Sequence, residues 1–122
     1  MVRSNAIVVV RDAELAQSLE LALLAAGLTA SVQEPSVKLD DLPLDLAATL
    51  IVDQQLMAPT PPAFLAAMRA RPWLGLVILI TSDRDALDPA LLGARRVTVL
   101  EMPFQGADLI AAIRDVWPDL PG

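Results

Sequence analysis

Short runs of apolar residues alternate along this chain with longer stretches in which apolar residues recur at helical spacing. Five runs predict strands, at Ala6–Val10, Thr29–Val32, Ala48–Val52, Leu76–Ile80 and Val97–Leu100. The first, third and fourth are continuously hydrophobic, which is typical of strands buried on both faces of a parallel sheet. Thr29–Val32 is the weakest of the five because it mixes polar and apolar residues.

The stretches between these strands predict helices, bounded by capping residues, Gly and Pro. The predicted helices are Asp12–Ala26, Ala63–Arg71, Asp85–Leu92 and Gln105–Trp117. Asp12 can cap the first of them, and Gly27 ends it. Between Glu34 and Asp45, two prolines leave room for a short helix at most.

Strands that alternate with helices predict one α/β domain over residues 1–122, because a parallel sheet needs a crossover between successive strands. Helices on both faces would make three layers around a doubly wound, five-stranded parallel sheet.

The overall hydrophobicity raises the question of a membrane protein. Hydrophobic residues make up 55% of the chain and the mean hydropathy is +0.54. No apolar run approaches the roughly 20 residues that span a bilayer. We therefore expect buried strands and Ala/Leu-rich helices instead of membrane segments. No secretory signal pattern is evident, because the apolar run after Arg3 is cut at Arg11, and we expect a cytoplasmic protein.

Composition and charge exclude several chemistries. The chain contains no Cys and no His, which excludes disulfides, thiol catalysis and imidazole catalysis, and also excludes a phosphohistidine donor. The net charge of −6 and the pI of about 4.4 disfavour nucleic acid as a partner, since neutralisation of phosphates dominates such binding. An acidic surface instead suits Mg²⁺ or basic protein surfaces.

Polar residues follow the predicted strands where ligands of open α/β sheets bind, outside the carboxyl ends. Arg11 and Asp12 follow the first strand and Asp53 ends the third. Thr81-Ser82-Asp83 follows the fourth strand, and Glu101 with Met102-Pro103-Phe104 follows the fifth. These residues form the candidate functional site.

In these four motifs the chain resembles the receiver (response-regulator) family of two-component phosphorelay signalling. The family has an acidic pair after strand one, an aspartate ending strand three, Thr or Ser ending strand four, and Lys-Pro after strand five. The resemblance covers nearly the full length and implies a flavodoxin-like topology with strand order 2-1-3-4-5. It also implies a cis peptide bond before Pro103.

The resemblance implies a role for each matching residue. Asp53 would be the phosphoacceptor, and Thr81 the switch hydroxyl that hydrogen-bonds the phosphoryl group. Asp12 and Asp53, with the backbone carbonyl of Gln55, would hold Mg²⁺, a hard cation that prefers such oxygen ligands. No enzymatic activity of its own is implied. The implied partners are a histidine kinase, a phosphotransfer protein or an output domain, with a second copy of the chain as a further candidate.

Two residues depart from the family pattern at this site. Arg11 stands where the first acidic residue is usual, and Met102 replaces the Lys. At ~5 Å and an effective dielectric near ~20, each charge pair is worth roughly 3 kcal/mol, so Arg11 weakens Mg²⁺ binding unless it swings outward. Arg11 could also pair with Asp53 in place of the metal. A thioether cannot pair with a phosphate.

These departures favour a degenerate receiver, or pseudo-receiver, that acts by protein–protein docking. The alternative is a working receiver that a partner histidine kinase phosphorylates on Asp53. A third hypothesis is a small-ligand sensor, for example of a cyclic dinucleotide, with phosphate contacts from Arg11, Arg84, Arg95 and Arg96. A flavodoxin-type electron carrier is disfavoured, because the chain lacks a Ser/Thr/Gly-rich phosphate loop after strand one. The exposed side of the last helix, with Trp117, is a candidate partner surface.

Overall fold

A computed structural model describes residues 5–57 and 60–118 of the chain. Its strands are β1 (Asn5–Val9), β2 (Thr29–Val32), β3 (Thr49–Asp53), β4 (Leu76–Thr81) and β5 (Val97–Glu101). Its helices are α1 (Ala13–Ala25), α2 (Pro61–Arg69), α3 (Pro89–Leu92) and α4 (Gly106–Val116). Single 3₁₀ turns lie at Leu39–Asp41, Leu44–Leu46, Gln54–Leu56 and Arg84–Ala86.

The five strands form one parallel sheet in the order β2-β1-β3-β4-β5. This confirms the predicted class and strand order. In the centre of the sheet, Val8 lies opposite Ile51, which lies opposite Ile78. Strand β2 is added on one side of β1, whereas β3, β4 and β5 are added in turn on the other side. The direction in which strands are added therefore reverses between β1 and β3. At such a switch point the loops diverge and leave a crevice at the carboxyl ends.

The two faces of the sheet carry separate hydrophobic cores. One core packs α1 and α4 against the sheet, with Leu23 and Ile113 fully buried. The other packs α2, α3 and the 37–46 segment against the opposite face, with Met68 and Leu91 fully buried. Burial of one such side chain stabilises the fold by roughly 1.5–3 kcal/mol. The central strands are therefore buried on both faces, as their continuous hydrophobicity predicts.

Several element boundaries differ from the predicted ones. Helix α2 begins at Pro61 instead of Ala63, because proline fits the first turn of a helix and Thr60 caps it, accepting a hydrogen bond from the Ala63 amide at 3.2 Å. The predicted helix over Asp85–Leu92 divides into a 3₁₀ turn and the one-turn helix α3, where Asp88 provides a new cap.

The prediction that Trp117 belongs to an exposed partner surface is wrong. Trp117 is 5% exposed and belongs to the core between α4 and the sheet. A large aromatic ring at the end of an amphipathic helix contributes more by burial than by exposure. None of the helices in the described parts of the chain combines the length and apolarity needed to cross a membrane.

Gly75 lies under the ring of Trp73 just before β4. A Cβ atom at Gly75 would lie 2.0 Å from Trp73 Cζ2 and 2.6 Å from the carbonyl oxygen of Ala48. The ring cannot move aside freely, because the Trp73 Nε1–H donates a hydrogen bond of 2.8 Å to the buried carbonyl of Ala47. Only glycine therefore fits at this position.

We predict that Gly75→Ala lowers the free energy of unfolding by about 3 kcal/mol or more, the upper end of overpacking costs. The matched control is Gly93→Ala, where an added Cβ meets nothing within 4 Å, and its stability should stay within about 1 kcal/mol of the parent. Urea denaturation of both variants measures the difference. Equal stabilities would contradict the steric role of Gly75.

Candidate functional site

The carboxyl ends of β1, β3 and β4 bring the predicted site residues to one cavity of about 180 Å³. Asp12, Asp53 and Thr81 all line it, and they come from three different strand ends. Arg11 and Met102, the two residues that depart from the receiver pattern, line the same cavity. The structure thus brings together Asp12, Asp53, Gln55 and Thr81 at this cavity, whereas Asp83, Glu101, Pro103 and Phe104 do not line it.

Asp53 is the last residue of β3, and both of its carboxylate oxygens accept hydrogen bonds. Oδ1 accepts from the backbone amide of Gln55 at 2.9 Å, which caps the following 3₁₀ turn. Oδ2 accepts from Arg11 Nε at 3.4 Å. The Asp53 side chain is only 17% exposed, so the carboxylate lies inside the cavity and not on its rim.

Arg11 follows β1 and turns toward Asp53 across 42 positions of sequence. Its side chain is 55% exposed, and the contact is a single long hydrogen bond through Nε. An exposed pair of this kind contributes about 0–1 kcal/mol to folding. Its importance is therefore electrostatic: a permanent positive charge lies beside the carboxylate.

Asp12 caps helix α1. Its Oδ1 accepts hydrogen bonds from the backbone amides of Glu14 at 2.9 Å and Leu15 at 3.3 Å. These amides otherwise have no partner in the first turn of a helix, and a carboxylate there also interacts favourably with the helix dipole. The capping role predicted from the sequence is confirmed.

Thr81 is 3% exposed, and its hydroxyl both donates and accepts a hydrogen bond within the protein. It donates to the side-chain oxygen of Gln54 at 2.7 Å and accepts from the backbone amide of Asp83 at 3.1 Å. Gln54 was not predicted as a site residue. The only sequence signal for it is its place directly after Asp53, at the start of the turn that enters the cavity.

Met102 is 38% exposed at the edge of the cavity. The Met102–Pro103 peptide bond is cis, as the family resemblance implies. The thioether offers the cavity neither a positive charge nor a hydrogen-bond donor. No residue of this loop supplies the cation that the receiver pattern has here.

In this arrangement, the carboxylates of Asp12 and Asp53 do not form a ready-made site for bound Mg²⁺. Within residues 5–57 and 60–118, no three acidic, His or Cys side chains are grouped closely enough to hold a metal ion. Of the two carboxylates, Asp12 uses one oxygen as a helix cap and Asp53 has both oxygens engaged, one of them by a cation. Metal binding by Asp12, Asp53 and the Gln55 carbonyl stays a prediction.

The four arginines of the ligand-sensor hypothesis do not form one site. Arg11 and Arg84 lie at the carboxyl ends of the strands, where the Arg84 amide donates to Glu101 Oε2 at 2.7 Å. Arg95 and Arg96 precede β5 and lie at the opposite, amino-terminal edge. A single ligand in the cavity beside Asp53 cannot contact all four.

We predict that Asp12→Ala lowers the free energy of unfolding by about 1 kcal/mol, because two amides of α1 lose their acceptor. The matched variant Asp12→Asn keeps a capping oxygen and should stay within about 0.5 kcal/mol of the parent. Chemical denaturation monitored by circular dichroism measures both. If Asn destabilises as much as Ala, the charge of Asp12 matters more than its cap.

Comparison with known proteins identifies the fold. No protein-family model matches the sequence, and no curated protein matches it significantly. Among solved structures, the chain is similar to a response regulator receiver protein from Burkholderia phymatum, with a TM-score of 0.66 and 22% sequence identity. The match covers 96% of this chain and 97% of that one. The chain therefore has the receiver fold, a flavodoxin-like α/β architecture, over nearly its whole length.

Proposed function

We propose that this chain is a receiver-like module of two-component phosphorelay signalling that acts by docking to other proteins and is impaired in phosphorylation. The observation that carries the proposal is the hydrogen bond of 3.4 Å between Arg11 Nε and Asp53 Oδ2. This contact supports the proposal because it puts a permanent positive charge beside Asp53, the residue that the family resemblance implies as the acceptor.

Phosphoryl transfer to an aspartate is assisted by fixed positive charges next to the phosphoryl oxygens. A metal ion offsets the charge on the phosphoryl oxygens, and a Lys contacts the same group. Here Met102 supplies no charge, and Arg11 replaces an acidic residue near the metal position. The net change next to a bound cation is two charge units, each worth roughly 3 kcal/mol at ~5 Å and an effective dielectric near ~20. Metal affinity falls accordingly.

The remaining contacts favour one fixed state of the site. The Thr81 hydroxyl is held by Gln54 and by the Asp83 amide, and the Asp53 carboxylate is held by Gln55 and Arg11. The two groups that would contact a phosphoryl group are therefore already satisfied by protein atoms. A site of this kind suits a module that presents a constant surface to its partner.

The partners that fit this proposal are a histidine kinase, a phosphotransfer protein or an output domain, and a second copy of the chain is a further candidate. The net charge of −6 favours a basic protein surface and disfavours nucleic acid. In this role the chain catalyses no reaction of its own.

One observation favours the alternative of a working receiver phosphorylated on Asp53. Asp53, Asp12 and Thr81 still share one cavity, and Arg11 is exposed enough to swing away. In that case the guanidinium would contact the phosphoryl group directly, as a charge-assisted hydrogen-bond donor. The two proposals differ in whether Asp53 accepts a phosphoryl analogue.

We predict that the parent protein forms no stoichiometric beryllofluoride adduct in the presence of Mg²⁺, measured by ¹⁹F NMR. The double variant Arg11→Asp/Met102→Lys, which restores the acidic residue and the Lys of the receiver pattern, should form one. Asp53→Asn in the double-variant background is the control and should abolish the adduct. Circular dichroism establishes that each variant is folded.

Two outcomes count against the proposal. A stoichiometric adduct on the parent protein that Asp53→Asn removes would establish the working receiver instead. A folded double variant that still forms no adduct would mean that Arg11 and Met102 are not the cause of the impairment.

A further inference from the structure

We infer that a second site, at the amino-terminal edge of the sheet and opposite Asp53, binds a small organic phosphate. The site is a cavity of about 300 Å³ lined by Arg69, Arg95 and Arg96 together with Leu65, Leu74 and Ala94. We call it the arginine pocket. It lies outside the receiver motifs and does not depend on the proposed function.

Three cations converge on this pocket in a protein whose net charge is −6. Arg69 comes from the last turn of α2, while Arg95 and Arg96 come from the loop before β5. In the described parts of the chain, ion pairs join Arg11 to Asp53 and Arg71 to Asp40, and none involves the three arginines of the pocket. The pocket therefore has an uncompensated positive charge.

Arg69 connects the segments around the pocket by donating hydrogen bonds to their backbone carbonyls. Its Nη1 donates to the Gly75 carbonyl at 3.1 Å, and its Nη2 donates to the carbonyls of Arg95 at 3.0 Å and Arg96 at 3.2 Å. These acceptors carry no net charge. Burial lowers the pKa of Arg69, and the neighbouring Arg96 and Arg95 lower it further. An anion in the pocket would relieve this repulsion.

Arg96 is held in an unusual conformation. Its φ of 56° lies in the left-handed region, which disfavours residues other than Gly, Asn and Asp. Its guanidinium donates to the Leu74 carbonyl and lies over the ring of Trp117, 5.0 Å from the centroid. Strain of this kind persists only where the surrounding contacts fix it, and here the contacts with Leu74 and Trp117 hold Arg96 beside the pocket that it lines.

Arg95 provides the free donors. Its side chain is exposed and makes no hydrogen bond or ion pair with the residues that the structure describes. A guanidinium with all its N–H groups available binds phosphate oxygens in a forked geometry. Because a phosphate monoester has several oxygens and a higher charge than a carboxylate, it matches this donor set better.

The rest of the lining is apolar and defines the ligand further. Leu65, Leu74 and Ala94 line the pocket beside the arginines, and Leu74 is 61% exposed. A volume of about 300 Å³ is at the lower end of small-molecule sites. The occupant is therefore a phosphate group attached to a small apolar body.

Both tryptophans of the chain report on this pocket. Trp117 lies under Arg96, and Arg69 lies over Trp73 with its guanidinium carbon 5.9 Å from the ring centroid. The test is a titration of the ¹⁵N-labelled protein with phenyl phosphate, followed by the two indole N–H signals in NMR spectra at constant ionic strength. We expect saturable shifts with a dissociation constant on the order of 1 mM, as ordinary ligand efficiencies give for a molecule of this size.

Variants and analogues separate the contributions of charge and apolar surface. Arg95→Gln replaces an exposed guanidinium with a neutral amide and should raise the dissociation constant about fivefold or more, while Arg84→Gln, at the opposite edge, should leave it unchanged. Inorganic phosphate and phenol should each bind more weakly than phenyl phosphate. The dispersion of the same spectra establishes that both variants are folded.

Three results would overturn the inference. The first is the absence of saturable shifts with phenyl phosphate. The second is unchanged binding to folded Arg95→Gln, and the third is equally strong binding of phenol, which would make the charge irrelevant.

Discussion

Burial of the central strands on both faces is the constraint on which the rest of the structure depends. Val8, Ile51 and Ile78 pack into one core, and the adjacent Ile7, Leu50 and Val77 pack into the other. An unpaired polar side chain in the middle of these strands would carry a large desolvation cost. Polar chemistry is therefore confined to the strand ends. The receiver-like cavity occupies one edge of the sheet and the arginine pocket occupies the other, and the hydrophobic layer between them keeps the two groups of charges apart.

The fold could be predicted from the sequence because this constraint leaves a clear pattern. Continuous apolar runs such as Leu76–Ile80 predict buried parallel strands, and the order of the strands followed from the family resemblance. The helix boundaries were less predictable where two signals compete. The sequence predicts a loop at Pro61, yet this residue occupies the first turn of α2 because Thr60 provides the cap. Trp117 was predicted to belong to an exposed surface, yet it is buried in the core between α4 and the sheet.

The candidate site was predictable in its main residues but not in its contacts. Asp12, Asp53 and Thr81 could be placed at one edge because strand ends converge there. The partner of Thr81 could not, since Gln54 is identified only by a side-chain hydrogen bond of 2.7 Å. The direction of Arg11 was also open, because a guanidinium on a flexible stem can point inward or outward. The sequence gives no signal for the role of Arg69, since that role comes from hydrogen bonds to the carbonyls of Gly75, Arg95 and Arg96, the last two 26 and 27 positions away.

The positions of the two tryptophans determine what optical measurements on this protein can report. The chain has no Tyr and only two Trp residues, and both indole rings lie under arginines at the amino-terminal edge of the sheet. Intrinsic fluorescence therefore originates entirely at that edge. A structural change beside Asp53, on the far side of the hydrophobic layer, alters the emission of these tryptophans only if the sheet transmits that change. A change in emission on modification of Asp53 would thus measure mechanical coupling between the two ends of the domain.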